Sequence, residues 1–153
     1  MKKGYPILIV CLIIFFSCTS EDTEEQIVEP TSLLEKIVGN SPWTYDRLEV
    51  VSILETNGYD LQQSEIDDFE NETNQEFNEF TISFNDNGTG TDTDGEFIWE
   101  WIDEETGEMR IWDDNYFISI NNAELILGVR NFVFIPEGEC CVEIRYNGNI
   151  ILK

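Results

Sequence analysis

From Trp43 onward the apolar side chains recur at every second position in short runs, and clusters of Asn, Asp, Glu and Gly separate the runs. Successive side chains of a strand point to opposite faces, so this period describes strands with one covered face and one wet face. Phe80, Ile82 and Phe84 alternate with Thr81 and Ser83 until Asn85-Asp-Asn-Gly88 stops them. Phe97, Trp99 and Trp101 alternate up to the turn Glu104-Glu-Thr-Gly107, and Met109, Ile111 and Trp112 return from it as a hairpin. Tyr116, Ile118 and Ile120 make the next strand, followed by Leu125, Leu127 and Val129, and then by a separate run from Phe132 to Ile135. Val142, Ile144 and Tyr146 lead to Asn147-Gly148, a strong short hairpin signal, with Ile150 to Leu152 returning. In the first run, from Trp43 to Ile53, the apolar phase slips after Tyr45 and again at Val50-Val51, which predicts a bulge. Eight or nine such strands predict an all-β fold, an antiparallel barrel or curved meander.

Ahead of the strands, Ser32-Leu-Leu-Glu35 is a capping-box pattern with Gly39 as a stop, so one short N-terminal helix is expected over Leu33 to Val38. Residues 60–77 break the strand pattern, with apolar groups only at Leu61, Ile66, Phe69 and Phe77. They read either as a helix over Glu65 to Glu70 capped by Ser64 or as a long loop, and in the barrel reading they act as a partial lid; loops of that length are usually functional or disordered. The region 32–153 reads as a single domain.

Composition narrows the chemistry. The chain has 32 acidic residues, 8 basic ones and no histidine, for a formal net charge of −24. That balance argues against nucleic acid, whose affinity comes largely from Lys and Arg at phosphates. Without histidine there is no Ser-His-Asp or Cys-His engine, and the commonest transition-metal ligand is gone. No carboxylate pair is set in an evident apolar pocket, so no enzyme, cofactor or metal site is expected. The acidic segment Asn85 to Glu96 puts Gly90 or Trp101 where a calcium loop needs carboxylates, and reads better as a solvated turn. Cys140 and Cys141 are neighbours, read as two reduced thiols on opposite faces of a strand.

The N-terminus speaks to location. Lys2 and Lys3 precede an apolar run from Ile7 to Phe16, half the length a spanning helix needs, and Ser17-Cys18 follows at once. This resembles a bacterial lipoprotein signal with its lipobox. The resemblance implies that residues 1–17 are removed and that the Cys18 sulfur and new amine are acylated. The mature chain would then carry a net charge near −26, since the signal takes two lysines and no acid. Residues 18–31 read as an acidic tether, and Glu21, Asp22, Glu24 and Glu25 resemble the export tag of Bacteroidetes surface lipoproteins. A monomer anchored to the outer membrane through lipidated Cys18, exposed at the cell surface, is the expectation.

A second resemblance concerns the domain. Gly39-Asn-Ser-Pro-Trp43 after a short helix is similar to the Gly-x-Trp opening of lipocalins, and Phe80 to Thr91 followed by a Trp-x-Trp strand resembles the lipocalin-like domain of Bacteroidetes lipoproteins. Arg145 is the candidate for the lipocalin arginine. The resemblance implies a barrel with a cup for a small apolar ligand, lined by Phe97, Trp99, Trp101 and Trp112. The other reading is a filled barrel acting as a protein- or glycan-interaction module, because large side chains fill small barrels.

Overall fold

Ser32 opens the first element. Its hydroxyl accepts from the Glu35 N–H at 3.0 Å, and a Glu35 carboxylate oxygen accepts from the Ser32 N–H at 3.1 Å, the reciprocal box that the sequence predicts. The helix it starts, α1 (Leu33–Gly39), turns the buried Ile37 toward the barrel. The computed structural model describes residues 32–139 and 141–153; the signal segment 1–17, Cys18, the tether 18–31 and Cys140 lie outside the described residues.

Eight strands follow among the described residues: β1 (Trp43–Glu55), β2 (Thr81–Phe84), β3 (Thr89–Asp92), β4 (Glu96–Asp103), β5 (Glu108–Ile111), β6 (Asp114–Asn121), β7 (Glu124–Phe134) and β8 (Ile144–Leu152). Each pairs antiparallel with the next, and β8 pairs back onto β1, which makes a closed up-and-down barrel of lipocalin-like form. Closure removes the open sheet edges that a meander would leave, apart from the part of β1 beyond Thr44. β1 serves this closure by bending: its register against β8 shifts between Tyr45 and Arg47, between Val50 and Ser52, and between Ile53 and Glu55.

Three expectations are corrected. The run from Phe132 is no separate strand, because β7 continues through a register shift between Val129 and Phe132, with Asn131 at φ +59°. Asn147-Gly148 is no hairpin: both residues sit inside β8, where Gly148 is paired with Val50 on one side and Val129 on the other. A second helix, α2 (Gln63–Glu76), joins β1 to β2, longer than the Glu65 to Glu70 turn foreseen and capped at Gln62, two residues before Ser64. Its start is held by Glu65, whose carboxylate accepts from the Gln62 N–H at 2.8 Å and from the Tyr59 hydroxyl at 2.5 Å.

The two helices sit at opposite ends. At the end where β1 begins, the Trp43 indole N–H donates to the Ile37 carbonyl at 2.8 Å, and the Ser41 hydroxyl ties the same carbonyl to the Phe84 N–H. At the other end α2 takes the place of a missing strand neighbour. β1 and β2 pair at only Trp43↔Ile82 and Thr44↔Thr81, which leaves the edge of β1 beyond them without a strand. Asn74 Oδ1 accepts from the Leu48 N–H at 2.7 Å, and Glu70 Oε1 accepts from the Val50 N–H at 2.5 Å. Four residues of helix advance about 6 Å and two residues of strand about 6.6 Å, so side chains one helical turn apart match alternate strand amides.

Candidate binding cup

The barrel is filled at one end and hollow at the other. Toward α1, Phe84, Trp99 and Met109 pack inside it, with Phe84 edge-on to Trp99 at 6.2 Å. Toward α2 there is a cavity of about 500 Å³. Its walls are inward residues of β1, β2, β6, β7 and β8, among them Tyr45, Leu48, Ile82, Tyr116, Leu127 and Tyr146. α2 covers it with Phe69, Thr73 and Phe77; the Phe69 ring stacks on Phe134 at 4.4 Å and meets Tyr146 edge-on at 5.5 Å. A volume of this order suits a small molecule, and mostly apolar walls with a few placed polar groups are typical of such sites.

Those polar groups are phenols. Tyr116 and Tyr146 are 8% and 4% exposed, both line the cavity, and neither hydroxyl has a hydrogen-bond partner among the described residues. Both oxygens keep some accessible surface, since Trp101 Nε1 is the one fully sealed side-chain polar atom without a partner among the described residues, so each phenol can exchange a hydrogen bond with a molecule in the cup. Burial pushes the Tyr116 phenol up to about 12 and raises that of Tyr146 as well, which keeps both protonated and able to donate. Tyr45 is also pushed up to about 12 by burial, but its hydroxyl is engaged, donating to Asn74 Oδ1 at 2.7 Å.

The sequence-derived candidates separate here. Trp112 lines the cavity from the two-residue turn between β5 and β6. It is 44% exposed and holds φ +52°, a backbone region that is an outlier for so bulky a residue and that clusters at functional sites. Phe97 supports it from beside, 5.1 Å between ring centres, and borders a separate open depression over β3 and β4 rather than the cavity. Trp99 is tied down by its indole N–H, which donates to the Thr89 carbonyl at 2.9 Å, and Trp101 leans edge-on against it at 6.1 Å. Neither indole lines the cavity; the Trp101 N–H is sealed from solvent without a partner. Arg145 pairs with Glu55 at 3.5 Å, at the far end of the barrel from Trp43. The acidic turn after β3 is closed by its own backbone: Asp92 Oδ1 accepts from the Asp94 and Gly95 N–H groups at 2.8 and 2.9 Å.

Sequence reasoning placed residues 60–77, with Phe69 and Phe77, over the cup as a partial lid but missed Tyr116 and Tyr146 as lining groups. The two tyrosines do occupy the inward phase of their strands, and a polar-tipped ring at a position otherwise held by Ile or Leu is the signal that was there to read. Protein-family models, curated proteins and solved structures offer no significant match to this chain.

Proposed function

We propose that this chain is a non-catalytic, lipid-anchored protein of the cell envelope, similar to the lipocalin-like lipoproteins of Bacteroidetes, whose barrel binds one small, mainly apolar molecule in the cup beneath α2. The observation that carries the binding half is the hollow of about 500 Å³ with mostly apolar walls, lined also by two tyrosines whose hydroxyls have no partner among the described residues. A barrel serving as an interaction module through its outer face has no need of an empty interior, since close packing is the ordinary state of a core. The location half rests on Lys2, Lys3, the apolar run and Cys18. Two acyl chains suffice for stable membrane anchoring, and lipidated Cys18 would carry more than one.

Two measurements test the two halves separately. Trp112 stands at the cup, so intrinsic tryptophan fluorescence should shift when a neutral lipid or planar dye from a broad panel enters; silence across the panel overturns the binding reading. Cells fed a palmitate analogue should label the wild-type protein and leave Cys18→Ala unlabelled. Equal labelling removes the anchor.

A further inference from the structure

The rim of the cup has one sign of charge. Glu76 in the last turn of α2, Asp92 at the end of β3 and Asp94 in the following turn all line it, and no Lys or Arg does. Asp92 is partly occupied by the backbone of its own turn, whereas the Glu76 and Asp94 carboxylates have neither a hydrogen bond nor an ion pair among the described residues. The C-terminal end of a helix carries partial negative charge, and the last turn of α2 contains no basic residue to offset it. Among the described basic side chains, Lys36 belongs to α1 at the opposite end of the barrel, Arg47, Arg110, Arg145 and Lys153 pair with carboxylates, and Arg130 lies over the face of Phe117 at 3.4 Å. Below this rim the wall is aromatic, with Tyr45, Phe69, Phe77, Phe80, Trp112 and Phe132 facing the hollow. Ring faces attract cations, most strongly where water is excluded.

Resting on the binding reading above, we infer that the cup selects an organic monocation, an apolar amine or quaternary ammonium. Its positive end stands among Glu76, Asp92 and Asp94, and its apolar body lies against the aromatic wall. The carboxylate of a fatty acid would meet three like charges and a helix C-terminus in the same position, with no cation to receive it. Tyr116 and Tyr146 lie within the cup, where their hydroxyls can donate to an acceptor atom on the apolar body or accept from a donor there. The rim thus supplies the sign of the ligand, and the largely buried Tyr116 and Tyr146, whose unpartnered hydroxyls open on the cup, supply the independent mark of an unfilled site.

The test holds the apolar body constant and changes its charge. Naphthylethylamine, naphthylethanol and naphthylacetate are titrated calorimetrically into the full chain. The amine should bind about tenfold more tightly than the alcohol, a modest gain in keeping with exposed carboxylates, and the acetate should bind weakest. In the double variant Glu76→Gln/Asp94→Asn, which alters exposed side chains alone, the ratio of amine to alcohol affinity should fall toward one. Alcohol or acetate binding as tightly as the amine overturns the cation inference and leaves the cup standing. An amine preference that survives the double variant overturns the assigned rim. Failure of all three probes overturns both the inference and the cup.

Discussion

Asn74 shows how much can depend on one oxygen. Its Oδ1 accepts at 2.7 Å both from the Leu48 N–H, on an edge of β1 that no strand covers, and from the Tyr45 hydroxyl within the cup. Asn74→Ala leaves both donors without a partner and should cost about 1–3 kcal/mol in urea denaturation, the penalty of stranding buried donors. Asn74→Asp keeps the acceptor and should retain most of that stability. The tyrosines make a prediction in pH. In an unfolded chain a phenol ionises near pH ~10, whereas in the fold burial holds Tyr45 and Tyr116 protonated up to about 12. Between these values the unfolded chain releases protons that the folded one keeps. Stability is therefore intact below the unfolded value and is lost as pH rises toward the folded one. Denaturation midpoints should fall from about pH 10 upward, and Tyr116→Phe should flatten the slope. A midpoint that stays level through this window would show that the phenols are not held neutral.

At the scale of elements, what could be read from the sequence was whatever is local and periodic. The capping box over Ser32 and Glu35, the bent first strand and the hairpin from Phe97 through Trp112 all follow from spacing, and all are present. Asn147-Gly148 misled because the local signal of a turn lost to pairing from both sides. Once β1 and β7 flank the segment, straight continuation satisfies more backbone groups than a reversal. Glycine is needed there for closeness: a Cβ on Gly148 would sit 2.8 Å from the Glu49 carbonyl oxygen and 3.1 Å from the Tyr146 ring. Gly148→Ala should therefore destabilise by about 1–3 kcal/mol, the usual range for overfilling a packed position, when measured by thermal or chemical unfolding. α2 was only partly legible, because what orders it is the uncovered edge of β1 and no period of its own records that. The cup was hidden for the same reason. Periodicity put Trp99 and Trp101 on the inward face beside Tyr116 and Tyr146, but which of them fill the barrel and which border the hollow depends on how the strands stack around the ring.

Across the whole molecule the dominant fact is charge. The chain has 32 acids against 8 basic residues, and among the described residues the ion pairs reach only Asp46, Glu49, Glu55, Glu100 and Glu124, so most of the negative charge has no cation beside it. Self-repulsion on this scale opposes the compact state while it keeps the chain soluble. The screening length shrinks from ~30 Å at 0.01 M salt to ~10 Å at 0.1 M, so added sodium chloride should relieve repulsion across the barrel. Thermal unfolding should then shift upward by about 3–6 °C for each kcal/mol recovered, as suits a domain of this size. A fall in melting temperature would mean instead that the ion pairs of Arg47 and Lys153, which gather Asp46, Glu49 and Glu124, outweigh the repulsion. The same screening acts on the cup with the opposite sign, because it weakens the hold of Glu76, Asp92 and Asp94 on a cation while leaving the fit of an uncharged body unaltered. Raising salt should thus strengthen the fold and loosen naphthylethylamine in one titration series. A barrel that gained both stability and amine affinity from salt would be holding its ligand by apolar contact alone, and its acidic rim would be a feature of the surface with no part in selection.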